Sequence, residues 1–222
     1  MAEQRPRRCV ILGGGGHARV LIDVLRVSGT AEPWAILDSD SLLWGSDVLG
    51  VRVRGGDDLL QAIADEGASA FVIGVGGTGD NTPRRRLFEL ALSFRLVPLT
   101  ARHPSATCSA YCEIGAGSVV FPGAIVNAGA VIGRNVIINT GAIVEHDCVV
   151  GDHAHIATGA RLASTVRVGA AAHVGAGSTI RQCITIGEAA IVGAGAAVVS
   201  NVEPHAVVVG VPARTLGVRR NG

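Results

Sequence analysis

The residues best suited to chemistry in this 222-residue chain lie in the segment Glu145-His146-Asp147. An imidazole titrates near neutral pH, and a carboxylate beside it can orient the ring or stabilise its charged form. The pair therefore suits removal of a proton from an ammonium that must attack a carbonyl. His155 and His173 stand eighteen residues apart, and His153 precedes the first of them by two. Near the N-terminus, Gly13-x-Gly15-x-x-Ala18 follows an apolar run, and Asp38 lies twenty residues beyond Ala18. That spacing satisfies a dinucleotide fingerprint, in which amides and a helix N-terminus cradle phosphates while the carboxylate takes a sugar hydroxyl. A tight turn with no ligand satisfies it equally well. The cysteines (Cys9, Cys108, Cys112, Cys148, Cys183) are odd in number and contain no CxxC pair, which reads as reduced thiols of a cytoplasmic protein.

Two kinds of element must position these groups. Residues 9 to about 100 alternate strand and helix. Residues 9–12 read as a buried strand, 13–16 as a turn, and 17–27 as a helix with its apolar face at Val20, Leu21, Val24 and Leu25. Residues 35–37 read as a strand ending at Asp38, and 51–53 as another. Asp57 or Asp58 is expected to cap a helix through Ala64, and 71–75 read as a strand. Thr82-Pro83 opens a helix to about Phe94, and 95–99 return as strand. This is a βαβ pattern with a small parallel sheet, a Rossmann-like domain.

After His103-Pro104 the period changes. Stepping by six from Ile114 through Val120, Val126, Ile132, Ile138, Val144 and onward to Val198 gives fifteen aliphatic residues in fifteen positions. Two positions before each the residue is usually small, and stepping by eighteen from Gly115 gives Gly133, Gly151, Gly169 and Gly187. Neither a helix nor a simple strand has this period, whereas a three-sided prism does. Each hexad is one flat side with its aliphatic residue plugging the interior, the small residue lets the corner turn, and glycine is expected to supply the corner's backbone angle. Fifteen hexads make about five 18-residue coils, stacked as parallel sheets at ~4.8 Å.

Composition narrows the classes. Gly is 31 of 222 residues and aromatics only 3%, so the interior is aliphatic and tightly pitched. Lys is absent, and 19 Arg against 18 acidic residues leave +1, with no general draw toward nucleic acid or an anionic membrane. The apolar run after the basic N-terminus is too short for a signal peptide, and none approaches the ~20 residues of a membrane span.

The hexads resemble the left-handed parallel β-helix of hexapeptide-repeat acyltransferases. The hand comes from that resemblance, since parallel crossovers in general favour the other. The glycine turn at 13–19, Asp38 at its strand end, the segment 139–148 and the tail Gly210-Val211-Pro212-Ala213-Arg214 together resemble the PglD/NeuD-like nucleotide-sugar N-acetyltransferases of bacterial surface-glycan synthesis. The resemblance implies a nucleotide-sugar domain at 1–104 and an acetyltransferase domain with its cap at 105–222. It implies acetyl-CoA as cosubstrate, no metal, a nucleotide-linked amino sugar (of the 4-amino-4,6-dideoxy kind) as acceptor, and a homotrimer with the donor site between neighbours. Carried over, Gly14, Gly15, His17 and Arg19 face phosphates and Asp38 the base. His146 acts as general base with Asp147 as its orienter, and His155 helps to hold the acetyl donor. Relatives usually carry Gly near position 164. Here the Ser164 amide is the expected oxyanion donor. The tail closes over the coenzyme arm, with Arg214 on a phosphate, while His173 stacks on His155 and His153 has no implied role.

An O-acetyltransferase of the same fold is the nearest alternative. A zinc lyase of the γ-carbonic-anhydrase kind is invited by His146, His155 and His173, but it has no use for the N-terminal domain and needs ligands converging at ~2.1 Å from one ion. Base selection falls to the loop from Asp38 to Gly50.

Overall fold

A computed structural model describes residues 6–77 and 79–218. The first unit is a parallel sheet in the order β3-β4-β2-β1-β5-β6, formed by β1 (Arg8–Leu12), β2 (Glu32–Leu37), β3 (Asp47–Val48), β4 (Val51–Gly55), β5 (Ala70–Ile73) and β6 (Val97–Pro98). Only β3 runs antiparallel to its neighbour. Strand order reverses between β1 and β5, so the crevice at their C-terminal ends is the site where sheets of this kind receive ligands. Gly13 fits there because its φ is +107° and a Cβ would lie within 2.9 Å of Gly74 and Val75.

Helix α1 (Gly16–Ser28) covers one face of the sheet with Ala18, Leu21, Ile22, Val24 and Leu25, and Gly29 ends it in the left-handed conformation. Helices α2 (Leu60–Asp65) and α3 (Thr82–Ser93) cover the other face. The expected aspartate cap of α2 is not formed. Gly56 takes the extended capping conformation ahead of a single 3₁₀ turn, leaving Asp57 and Asp58 inside that turn with no capping bond. No helix among the described residues is long and apolar enough to cross a membrane.

The second unit is a left-handed parallel β-helix of two-residue strands on three faces. Face one contains Ala101–Arg102, Val119–Val120, Ile137–Ile138, His155–Ile156, His173–Val174, Ile191–Val192 and Ala206–Val209. Face two runs from Thr107–Cys108 to Ala197–Val198, and face three from Glu113–Ile114 to Thr185–Ile186. Five complete coils are present, and the pairings step by eighteen, as in Ile137↔His155↔His173, up to the last coil, where Ile191 pairs with Val207 and Ile186 with Val202. Ala101–Arg102, ahead of His103-Pro104, already belongs to face one. Arg214–Val218 folds back antiparallel on Ala206–Val209 as a cap.

Of the fifteen plug positions all but Ile114, at the open first coil, are buried. The expected role of glycine is corrected. The left-handed corner angle recurs every sixth residue at Gly117, Gly123, Gly129, Asn135, Gly141, Asp147, His153 and Gly159, and so on to Gly195, so glycine shares it with other residues. The Gly115 series does not carry positive φ. It abuts the same glycine of the next coil, and a Cβ at Gly151 would lie 2.6 Å from Ala170 N and 2.9 Å from Gly169 C. Those glycines set the closeness of stacking. Gly151→Ala is therefore expected to cost about 3 kcal/mol by overpacking backbone. Gly159→Ala, at φ +66° with open space around it, costs about 1 kcal/mol. Urea unfolding at fixed protein concentration reads the order, and equal losses would contradict this account of the stack.

The two units share one core, in which α1 packs on Ala101, Val119, Phe121 and Ile137 of face one. A buried cation pins them together. The Arg84 guanidinium on α3 donates to Ile73 O (3.0 Å) and Val75 O (2.8 Å) at the end of β5, and to Asn135 O (3.2 Å) and Oδ1 (2.6 Å) at a β-helix corner. Burial pulls its pKa down to about 9. Because Asn135 Oδ1 accepts from Arg84, its amide nitrogen donates to His153 Nδ1 (2.9 Å), leaving the Nε2 proton toward Glu89 Oε1 at 4.0 Å. His153 is thus a docking residue.

Candidate active site

His146 and Asp147 occupy the edge between faces two and three, and their side chains are 57% and 64% exposed. The corner geometry explains the pairing. Asp147 takes the left-handed position (φ +58°), which aspartate tolerates, and its Oδ2 lies 2.8 Å from His146 Nδ1. A carboxylate only accepts, so Nδ1 carries the ring proton and Nε2 presents its lone pair to solvent. Glu145 Oε2 accepts from the His146 amide at 3.2 Å.

Ser164 stands one coil above. The stacking is fixed by Thr165 N donating to His146 O at 3.0 Å and Cys183 N donating to Ser164 O at 3.1 Å. The Ser164 amide itself donates to no group among the described residues. A base and an unengaged main-chain donor therefore lie on neighbouring rungs of one edge, the pair that acyl transfer needs. Three coils above His146, a pocket of about 300 Å³ at the top of the same edge is lined by Ser200, Asn201, Val202, Ala213 and Arg214. At the inter-strand spacing that is a run of ~14 Å.

His155 lies elsewhere. It follows His146 by nine positions, half a coil, so it sits on face one, across the aliphatic interior from that edge. Its hydrogen bonds fix its state. Asn139 Oδ1 accepts from Thr140 N (2.8 Å), so Asn139 Nδ2 donates to His155 Nε2 (3.0 Å), and His155 Nδ1 donates to Gly77 O (2.8 Å). Burial, with His173 and Arg84 nearby, lowers its pKa to about 3. His155 is a neutral ring held at both nitrogens, 5.0 Å between centroids from His173 in an edge-on contact. Beside it a cleft of about 420 Å³ is lined by Gly77, Asn139, His155, Thr158 and His173. His146 cannot converge with His155 and His173 on one ion within this chain.

His17 reaches the same face. Its ring lies 5.0 Å from Phe121, against Gly76, and burial, with Arg84 and His155 nearby, lowers its pKa to about 3. Gly15 and Gly16, at the N-terminus of α1, have open space around them, and Arg19 is exposed on the next turn. Asp38 is engaged with its own chain, Oδ2 accepting from Gly14 N (2.5 Å) and Oδ1 from Asp40 N (2.8 Å). The structure thus brings together His146, Asp147 and Ser164 on one edge, with Arg214 at its top. His17, against Gly76, lies next to the cleft in which Gly77 meets His155, while Gly14, Gly15 and Arg19 lie at the N-terminal end of α1. Sequence reasoning missed Asn139 and Arg84 as positioning groups. Asn139 lay inside a recognised segment, whereas nothing in Arg84-Arg85-Arg86 marks which arginine is buried.

The buried imidazoles set an acid limit. Unfolded, they bind protons from about pH 6.5, but folded His17 and His155 do so only near 3. Their contribution to stability is complete above the unfolded value and is lost as pH falls toward the folded one. Melting temperature is expected to be level from pH 8 to about 6.5 and to drop steeply below, and His155→Gln should flatten that drop. An unchanged acid slope in the variant would contradict the neutral assignment.

Residues 8–91 match the family model for the PglD N-terminal domain, and residues 129–164 match bacterial transferase hexapeptide (six repeats). No curated protein matches the chain. Among solved structures, the acetyltransferase domain of PglB from Neisseria gonorrhoeae FA1090 is 35% identical with a TM-score of 0.86, covering 95% of this chain and 100% of that one. PerB from Caulobacter crescentus, in complex with CoA and GDP-perosamine, is 38% identical with a TM-score of 0.88, covering 97% and 99%. WeeI from Acinetobacter baumannii AYE is 26% identical with a TM-score of 0.83, covering 95% and 100%. With both halves matched in order and identity above a third over nearly the full length, the chain belongs to the PglD-like family of hexapeptide-repeat sugar N-acetyltransferases.

Proposed function

We propose that the protein transfers the acetyl group of acetyl-CoA to the amine of a nucleotide-linked amino sugar of the 4-amino-4,6-dideoxy kind. The observation that carries this reading is the exposed His146 ring, its Nδ1 proton on Asp147 and its Nε2 free, directly below the unengaged Ser164 amide. Nε2 takes a proton from the sugar nitrogen as that nitrogen attacks the thioester carbonyl, and Asp147 stabilises the imidazolium. The Ser164 amide holds the oxyanion. Collapse breaks the carbon–sulfur bond, the thiolate leaves with the proton from Nε2, and an amide remains. The coenzyme runs up the edge, with its thioester at His146 and its phosphates at Arg214. The PerB complex, with CoA and GDP-perosamine bound, supports the same pairing of substrates.

The acceptor's diphosphate rests on the open amides of Gly15 and Gly16 and on His17 and Arg19. That surface lies on the face-one side, half a coil from His146, so one chain does not complete the site. A homotrimer in which the His146 edge of one protomer meets the face-one cleft of the next unites the two halves and covers exposed flat sides. Coenzyme A thiol release is the test, run against a panel of nucleotide-linked amino sugars. Turnover is expected with at least one member and none when the nucleotide is removed; turnover on free amino sugars alone would sink the reading.

A further inference from the structure

The loop after β2 carries a feature that its own packing does not use. Trp44 is 48% exposed and Leu42 is 89% exposed, while Leu43 between them packs into the core beside α1. The loop is nonetheless rigidly built. Asp40 Oδ1 accepts from Leu42 N (3.0 Å), Trp44 N donates to Ser41 O (3.2 Å), and Gly45 N donates to Val53 O (2.8 Å). The indole nitrogen donates to Asp38 O at 2.8 Å. An aromatic ring left half in water, yet fixed at its polar end, is a flat surface prepared for another flat ring.

Its position says which ring. Asp38 holds the indole through its carbonyl and the Gly14 amide through its carboxylate, so one residue couples Trp44 to the glycine turn. In sheets of this topology a nucleotide extends from the helix N-terminus after β1 toward the end of β2. Gly56 lies against the edge of the ring that Asp38 O holds. A Cβ there would sit 3.4 Å from Trp44 Cζ2 and 2.7 Å from Asp58 Oδ1, which puts the indole and a carboxylate around one bare backbone position. Asp58 takes no hydrogen bond or ion pair from another described residue, whereas both carboxylate oxygens of Asp38 are occupied. A carboxylate beside a stacked base accepts well from guanine, which offers adjacent N1–H and N2–H donors. Uracil offers one N–H between two carbonyls that the same carboxylate repels.

We propose that Trp44 is the stacking platform for the acceptor's nucleobase and that Asp58 reads the edge of that base, selecting guanine. This rests on the nucleotide-sugar reading above and names its base. It moves the base-reading role from Asp38, whose carboxylate holds the turn and the loop.

Calorimetric titration with GDP and with UDP, alongside tryptophan emission, tests it on the full chain. Trp34, the only other tryptophan, is flanked by Arg8 and Arg54 at 4.9 and 5.5 Å and serves as the internal reference. GDP is expected to quench the wild-type emission and not that of Trp44→Phe. Trp44→Ala should weaken GDP binding about tenfold or more, and raise KM for the nucleotide sugar with kcat unchanged at saturation. Asp58→Asn should bring GDP affinity down to that of UDP. GDP binding unchanged in Trp44→Ala would remove the platform while leaving the nucleotide reading intact. A wild-type preference for UDP would overturn the guanine assignment, and heat from neither nucleotide would overturn both readings.

Discussion

Replacing His146 by alanine is expected to lower turnover at saturating substrates by about 10²-fold or more, in line with the loss of a general base. The melting temperature should stay within about a degree of wild type, because exposed surface substitutions away from packing seldom move stability. The exposure of the ring makes this a clean test: its carbon atoms plug no cavity, and its one side-chain partner is the equally exposed Asp147. Asp147→Asn should fall between the two. It keeps an acceptor for the Nδ1 proton but loses the charge that stabilises the imidazolium. Turnover and melting curves on the three proteins give the comparison, and wild-type turnover in His146→Ala would remove the base.

The second large effect is recovery of activity from two inactive proteins. His146 and Ser164 lie on one edge, while His17, Asn139 and His155 lie on or against face one, half a coil away. A chain carrying His146→Ala keeps an intact cleft, and a chain carrying Asn139→Ala with His155→Gln keeps an intact edge. If sites form between protomers, unfolding the two together and refolding them restores a sizeable fraction of wild-type turnover, since mixed assemblies contain junctions where a sound edge meets a sound cleft. If each chain holds its own complete site, the mixture stays as inactive as its components. Steady-state rates of the mixture against each variant refolded alone decide between these outcomes.

The repeat was legible in the sequence because the interior of a narrow prism sees one side chain per hexad. Val144 and Leu162 report their burial without reference to anything distant, and the step of eighteen put His173 over His155 before any coordinates. The glycines misled because two constraints share one residue type. Gly141 supplies a left-handed corner, whereas Gly151 makes room for the next coil, and the chain shows only that both are glycine. The docking of the two units was not legible at all. It depends on Arg84 reaching Asn135 fifty-one residues away and on Gly77 meeting His155 across seventy-eight, contacts that leave no periodic trace. What fixes the His155 ring was hidden for the same reason. Its two anchors, a loop carbonyl and the Asn139 amide, come from separate elements and appear only once the chain is folded.

The central claim is that the His146 edge makes an amide from a thioester. Its most direct measurement offers the enzyme acetyl-CoA with two nucleotide-linked sugars identical except for an amine or a hydroxyl at the reacting carbon, and follows product stability to hydroxylamine. The account predicts acetylation of the amine alone, dependent on His146, with a product that hydroxylamine leaves intact. Preferential acetylation of the hydroxyl sugar, with a product that hydroxylamine cleaves, would contradict it.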